Sequence, residues 1–190
     1  MNKKINAVIL CGGRSSRMGQ NKSLLPFTEN KTILDFQYEK LSEVFNKVYV
    51  SSKHEHKVYE TILDNSTLHS PMIALASIFD YIKEDEIFVI TVDTPLINQE
   101  SILKIVDFYK ENSFNVVVPK DSSNNVHNLC GVFSKNIKPT IDKCLKDDIH
   151  KINFLIKNTH HCFLSIDSSK EFLNINTKED YEEAIKELNS

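Results

Sequence analysis

The sequence predicts an α/β fold, a three-layer α/β/α arrangement around a Rossmann-like, mostly parallel, doubly wound sheet. Three observations carry that expectation. Short apolar runs alternate with helical stripes over the first 119 residues, a glycine-rich basic loop follows the first run, and an Asp-Thr-Pro turn follows the most apolar one. A chain of 190 residues is long enough to bury roughly 70% of its unfolded surface in one core. No linker, repeat or low-complexity stretch divides it, so one domain over 1–190 is expected, with right-handed crossovers between parallel strands.

Ile5–Leu10 reads as the first buried strand, and its C-terminal end is where open α/β sheets take ligands. Thr32 is placed to cap a helix whose stripe Leu34, Tyr38, Leu41 and Phe45 recurs at i, i+4, i+7 and i+11. Lys47–Ser51 reads as the second strand, then a polar segment through His56 and a short helix to about Leu63, with Asp64 ending that helix or a short strand after it. Ser70-Pro71 predicts a helix start, serine as cap and proline at the first helical position, burying Met72, Leu75, Phe79 and Ile82. Ile87–Val92 is the most apolar strand and delivers Asp93 at its end.

A helix from Gln99 to Glu111 is expected to bury Ile102, Leu103, Val106 and Tyr109, and Asn115–Pro119 to form the next strand. Beyond it, Lys120–Asn128 reads as a polar loop, Cys130–Ser134 as a strand and Ile137–Leu145 as a helix with Pro139 near its start. Ile152–Ile156 looks helical, Cys162–Ile166 and Phe172–Ile175 look like strands, and Lys178–Leu188 is a final helix capped by Thr177.

The loop within Val8–Lys22 is built for an anion. Gly12 and Gly13 let backbone amides lie against phosphate, and Arg14, Arg17 and Lys22 add positive charge. It is not a P-loop, because five residues separate Gly13 from Gly19 and Lys22 comes three after that glycine; nor does it contain GxGxxG. Three of the chain's four glycines lie here, which weighs against a turn that is glycine-rich by accident.

Bulk composition narrows the partner. A formal charge of −3 argues against a general nucleic-acid binder, so an anion must be met locally. Cys11, Cys130, Cys144 and Cys162 are widely spaced and Met-Asn-Lys-Lys leads straight into apolar residues, which reads as a reduced cytoplasmic protein without a secretory leader. Cys11 is better read as a small buried thiol than as a nucleophile. No run approaches a membrane span, so no membrane partner is expected. His54, His56, His160 and His161 read as solvated surface, lacking helical ligand spacing.

Asp93 beside a cationic phosphate loop makes sense when a metal ion lies between them, and Mg²⁺ needs only one or two carboxylates plus substrate phosphates. The alternative for Asp93 is an Asp-Thr-Pro turn that merely ends the strand. Loop and aspartate together point to a nucleoside triphosphate attacked at its α-phosphate while pyrophosphate leaves, with Lys22, Arg17 and Mg²⁺ neutralising charge and Asp93 holding the metal.

LCGGRSSRMGQNK at 10–22 resembles the LAGGxSxRMGxDK signature of the nucleotidyltransferase superfamily, and within it most of all the molybdenum cofactor guanylyltransferase family. VITVDTPLI at 89–97 is similar to that family's strand ending in Asp-(Thr/Met)-Pro, and FLNINTKEDYEEA at 172–184 to its closing F-x-N-(V/I)-N-T-x-E-(D/E) segment. The resemblance implies a fold of the nucleotide-diphospho-sugar transferase type. It implies GMP transfer from GTP to the phosphate of molybdopterin, with Mg²⁺ required and molybdopterin guanine dinucleotide and pyrophosphate as products.

By position, the resemblance assigns Leu10, Cys11, Gly12 and Gly13 to the nucleotide loop, Lys22 to the triphosphate, Asp93 to the metal and Asp64 to the guanine or ribose. Ser51 falls where the family often has Asn, as a nucleotide contact. Asn174 and Asn176 would face the pterin, or Asn176 the metal; read without the resemblance they are turn residues before the Thr177 cap. The nucleotide half would be 1–119 and the acceptor half 120–190, with transient contacts to molybdenum insertion or molybdoenzyme proteins.

Three departures stand out. Asn21 replaces the usual Asp before the lysine, Ser70-Pro71-Met72-Ile73-Ala74 replaces a glycine-flanked G-P-(L/M)-x-G turn, and His127-Asn128 stands where a His-Pro pair is common. Cytidylyltransferases of this superfamily show Ala-Ala-Gly where this chain has Cys11-Gly12-Gly13, which leans the reading toward guanine. A cytidylyl or sugar-phosphate transferase using the same loop, and a nucleotide-binding protein without turnover, remain the alternatives.

Overall fold

The computed structural model describes residues 5–12, 21–64, 66, 68 and 70–189. In chain order the elements are β1 (Asn6–Leu10), β2 (Pro26–Thr28), β3 (Lys31–Thr32), α1 (Ile33–Val44), β4 (Val48–Ser52), β5 (Thr61–Leu63), α2 (Pro71–Tyr81) and β6 (Glu86–Thr91). The chain continues through α3 (Gln99–Glu111), β7 (Val116–Lys120), β8 (Cys130–Ser134), α4 (Lys138–Lys146), α5 (Ile152–Lys157), β9 (His161–Ser165) and α6 (Lys178–Leu188).

Seven strands form one sheet in the order β5-β4-β1-β6-β8-β7-β9, and β2 and β3 make a separate two-stranded hairpin. All pairings in the large sheet are parallel except those of β8, which runs antiparallel to both β6 and β7. The link from β7 to β8 spans only residues 121–129. A parallel return needs a crossover of about a dozen residues or more, so the chain turns straight back. Gly131 is what lets β8 lie against β7: a Cβ built there would sit 2.1 Å from the Val117 carbonyl oxygen. Gly131→Ala is therefore expected to cost about 2 kcal/mol, roughly 5 °C in Tm for a chain of this size, measurable by urea and thermal unfolding.

Alternation along the strands sorts the core into two layers. Ala7 and Ile9 of β1, Val48 and Val50 of β4, and Phe88 and Ile90 of β6 pack under α1, α3 and α6. Val8, Leu10, Tyr49, Ile87 and Val89 pack on the other face with α2, α4 and α5. This is the three-layer architecture that the period-2 pattern requires. α1 and α6 each begin with a complete capping box, Thr32 with Asp35 and Thr177 with Asp180.

Four expectations are corrected. The segment after His56 forms no helix; Val58 is 83% exposed and Thr61–Leu63 instead pairs with β4 as the sheet's edge strand. Phe172–Ile175 is not a strand. It is a single 3₁₀ turn, Lys170–Phe172, followed by extended chain tied to the β6 end through the Ile175 N–H and Asp93 carbonyl, 2.8 Å. On α3 the inward residue is Ile105, while Leu103 is 44% exposed, because 102, 105, 106 and 109 follow the helical face and 103 does not. Ser70 precedes α2 but makes no side-chain cap bond; its hydroxyl is engaged by His150, 3.1 Å away. Among the described residues, no helix is long and apolar enough to cross a membrane.

Candidate functional site

β1 is followed by β4 and β5 on one side of it and then by β6 on the other. The crevice outside the C-terminal ends of such strands is where open α/β sheets bind ligands. A pocket of about 360 Å³ lies there. Its floor is Leu10 and Gly12 at the end of β1, Ser51 and Ser52 at the end of β4, Asp64 after β5, and Thr91 and Asp93 at the end of β6. Pro71 and Ala74 of α2, with Leu129, give it an apolar wall. Asp93 and Asp64 follow strands three positions apart, about 14 Å at the usual spacing, so the pocket runs across four strand ends. Among the described residues, a Cβ at Gly12 would meet nothing within 4 Å, so its missing side chain leaves pocket volume open on that side.

A second pocket of about 240 Å³ shares Thr91, Asp93 and Leu129 with the first. Thr94, His127, Asn128 and Asn174 line it. The Thr94 hydroxyl donates to Asn174 Oδ1 at 2.8 Å and lies 3.1 Å from the Thr91 hydroxyl. Asp93 therefore stands on the wall between two cavities. Among the described residues, no cationic side chain forms an ion pair with it.

The second pocket rests on a buried carboxylate. Asp121 accepts from the Ser123 and Asn125 N–H groups at 2.8 and 2.9 Å and pairs with His127 Nε2 at 2.9 Å. Burial opposes the charge, yet the hydrogen bonds from His127, Asn125 and Ser123 hold this carboxyl below its usual range. The His127 ring stacks on Phe172, centroids 4.3 Å apart. Asn128 Oδ1 is buried without a partner among the described residues.

Lys22 begins a 3₁₀ turn, Lys22–Leu24, that Asn21 caps through its side-chain oxygen. Asn caps as well as Asp does, so the departure at position 21 keeps the local fold and removes only a charge. Lys22 Nζ donates to Asn176 Oδ1 at 2.9 Å. Asn176 is held in turn by its N–H to Asp180 Oδ2, 2.9 Å, at the head of α6. The segment 174–176 thus meets Thr94 through Asn174, the Asp93 carbonyl through the Ile175 N–H and Lys22 through Asn176.

The expected residues therefore fall into groups. Leu10, Gly12, Ser51, Asp64 and Asp93 line one pocket, Asn174 joins Asp93 in the next, and Lys22 pairs with Asn176. Cys11 packs against the core and bonds β4 through its backbone N–H, 2.8 Å to the Ser51 carbonyl. Burial first, and the nearby Asp93 charge second, push its thiol up to about 12, which removes it as a nucleophile. Gly13, Arg14 and Arg17 lie outside the described residues.

Several residues escaped the sequence reading. Lys53 pairs with Asp64 at 3.1 Å and donates to the Leu68 carbonyl at 3.1 Å, closing the far end of the first pocket. Gln37 and Lys40 of α1 bond carbonyls of the turn that bears Asp93. Gln37 did carry a signal: a polar residue three after Leu34 and four before Leu41 sits on the core face of its helix.

The MobA-like NTP transferase domain family matches residues 7–162. A molybdenum cofactor guanylyltransferase of Campylobacter jejuni subsp. doylei is 35% identical over 189 residues, covering 97% of each chain. Its namesake in Helicobacter pylori is 32% identical over 191 residues, covering 97% of this chain and 93% of the relative. In structure, molybdopterin-guanine dinucleotide biosynthesis protein A of Archaeoglobus fulgidus superimposes with a TM-score of 0.80 at 16% identity, over 97% of this chain and 99% of that one. At that identity the likeness concerns the fold.

Proposed function

The chain belongs to the MobA-like NTP transferase family, and from that membership we propose that it transfers GMP from GTP to the terminal phosphate of molybdopterin, forming molybdopterin guanine dinucleotide and pyrophosphate. The observation that carries this reading is the pair of adjoining pockets with Asp93 on their shared wall. One cavity suits a nucleotide laid across the strand ends, the other an acceptor brought to its α-phosphate.

In this reading an acceptor phosphate oxygen attacks the α-phosphorus in line. The new P–O bond forms as the bond to the α,β-bridging oxygen breaks, and pyrophosphate leaves with that electron pair. The backbone at Leu10 to Gly13 cradles the phosphates, Lys22 and Arg17 offset their charge, and Ser51 and Asp64 face the ribose and base. Asn174 and His127 orient the acceptor, with Asn176 coupling that segment to Lys22. No side chain needs to act as nucleophile, so positioning and charge neutralisation carry the rate.

Asp93 suits Mg²⁺, because it is a carboxylate without a paired cation among the described residues and has neutral oxygens of Thr94 and Asn174 beside it. Bound there, Mg²⁺ would neutralise phosphate charge at the reacting centre. Residues 1–119 then supply the nucleotide half and 120–190 most of the acceptor half. Four free thiols suit a reducing cytoplasm. A labile pterin that must be received and handed on favours transient contact with molybdenum insertion or molybdoenzyme proteins.

The test is pyrophosphate release with GTP, Mg²⁺ and molybdopterin supplied singly and together. Release is expected only with all three. Equal turnover with CTP would remove the guanylyl assignment and leave a cytidylyltransferase, and tight GTP binding without release for any acceptor would leave a binding protein.

A further inference from the structure

Six residues, 92–97, join β6 to Asn98, the cap of α3. Three of their carbonyls, those of Thr94, Pro95 and Ile97, and that of Thr91 at the end of β6, are met from α1. Gln37 Nε2 donates to the Thr91 and Thr94 carbonyls at 3.1 and 2.9 Å. Lys40 Nζ donates to those of Pro95 and Ile97 at 2.5 and 2.7 Å. Gln37 is fully buried, and burial lowers the Lys40 ammonium to about 8.

This arrangement costs stability in two ways. A cation is held where its charged form is disfavoured, and Gln37 Oε1 is left buried with no partner among the described residues. Such local costs concentrate where function demands a particular geometry. What the bonds achieve is a fixed path for the turn: Asp93 lies between the held carbonyls of Thr91 and Thr94, and its own carbonyl accepts from the Ile175 N–H at 2.8 Å. The platform is stiff, since α1 starts in a capping box and buries Leu34 and Leu41 in the core.

We propose that Gln37 and Lys40 are positioning residues for Asp93, fixing from α1 the path of the 91–97 turn and so the direction of the Asp93 carboxylate on the wall between the two pockets. The proposal rests on the reading of Asp93 as the metal-holding residue. Residues that orient a metal ligand without touching the metal typically carry about 10–100-fold of affinity or activity.

The test uses Gln37→Met and Lys40→Met, both close in volume to the residue replaced, and Asp93→Asn as reference. Mn²⁺ binding to the complex with a non-hydrolysable GTP analogue is titrated by electron paramagnetic resonance, and analogue binding is measured separately without metal. Both methionine variants are expected to weaken Mn²⁺ binding by about tenfold or more, to leave metal-free nucleotide affinity within about twofold, and to lower kcat with little change in KM for GTP. Lys40→Arg, which keeps charge and donors, is expected to recover part of the loss. If Asp93→Asn abolishes Mn²⁺ binding while either folded methionine variant stays within about twofold of the parent, the positioning role is wrong and the metal role of Asp93 stands. If Asp93→Asn binds Mn²⁺ like the parent, both fall. A thermal melt of each variant shows that it is folded, and either one alone decides.

Discussion

Asp93→Asn is expected to lower kcat by roughly 10³-fold, with Tm within a few degrees of the parent. The substitution is isosteric and spares the packing. The bonds that anchor the turn use backbone atoms, namely the Asp93 carbonyl to Ile175 and the carbonyls on either side to Gln37 and Lys40. The Thr94 hydroxyl lies 3.5 Å from the carboxylate, too long to contribute much. What is lost is one negative charge where the two pockets meet. Single-turnover pyrophosphate release with GTP and acceptor saturating measures the effect. A variant within tenfold of the parent would show that the metal is held elsewhere.

Asp93 was legible because a run of six apolar or β-branched residues, Ile87–Val92, could hardly be anything but a central strand, and the residue leaving such a strand has a predictable place. α1 was legible through stripe and cap together, α3 through its stripe apart from Leu103, and α6 through its cap. The β2–β3 hairpin was not, and β5 was legible only as an alternative, a short strand ending at Asp64 beside a helix that does not form, since elements of two or three residues are too short to show a period. The antiparallel turn into β8 was there to be read in the nine residues that precede it.

At the site, the strand-end places of Leu10, Ser51 and Asp93 were readable and the side chains that support them were not. Lys53 reaches Asp64, Ser70 reaches His150 and Lys40 reaches Pro95 and Ile97 through tertiary contacts that spacing along the chain does not announce. Asn21 shows the converse. It broke the expected signature, yet its side-chain oxygen caps the Lys22 turn as an aspartate's would.

Lys22→Met carries the other large expected effect, about 10²–10³-fold in kcat/KM for GTP. The lysine donates to Asn176 Oδ1 at 2.9 Å near Asp180, whose carboxyl, against the opposing effect of burial, is held below its usual range by the N–H groups of Asn176 and Thr177, the Thr177 hydroxyl and, least of these, the charge of Lys22. A neutral amide oxygen is a weak competitor for an ammonium, so a triphosphate would take Lys22 from Asn176 at little cost. The two substitutions should then differ in kind. Lys22→Met removes charge from the phosphates and raises KM for GTP while lowering kcat, whereas Asn176→Ala frees the lysine and leaves KM for GTP within about threefold. Lys22→Arg is expected to recover only part of the loss, because a guanidinium fork does not reproduce the compact point charge of an ammonium. Steady-state kinetics on the three variants, with GTP varied at saturating acceptor, separates these outcomes. A Lys22→Met enzyme with unchanged KM and kcat would move the triphosphate away from this lysine.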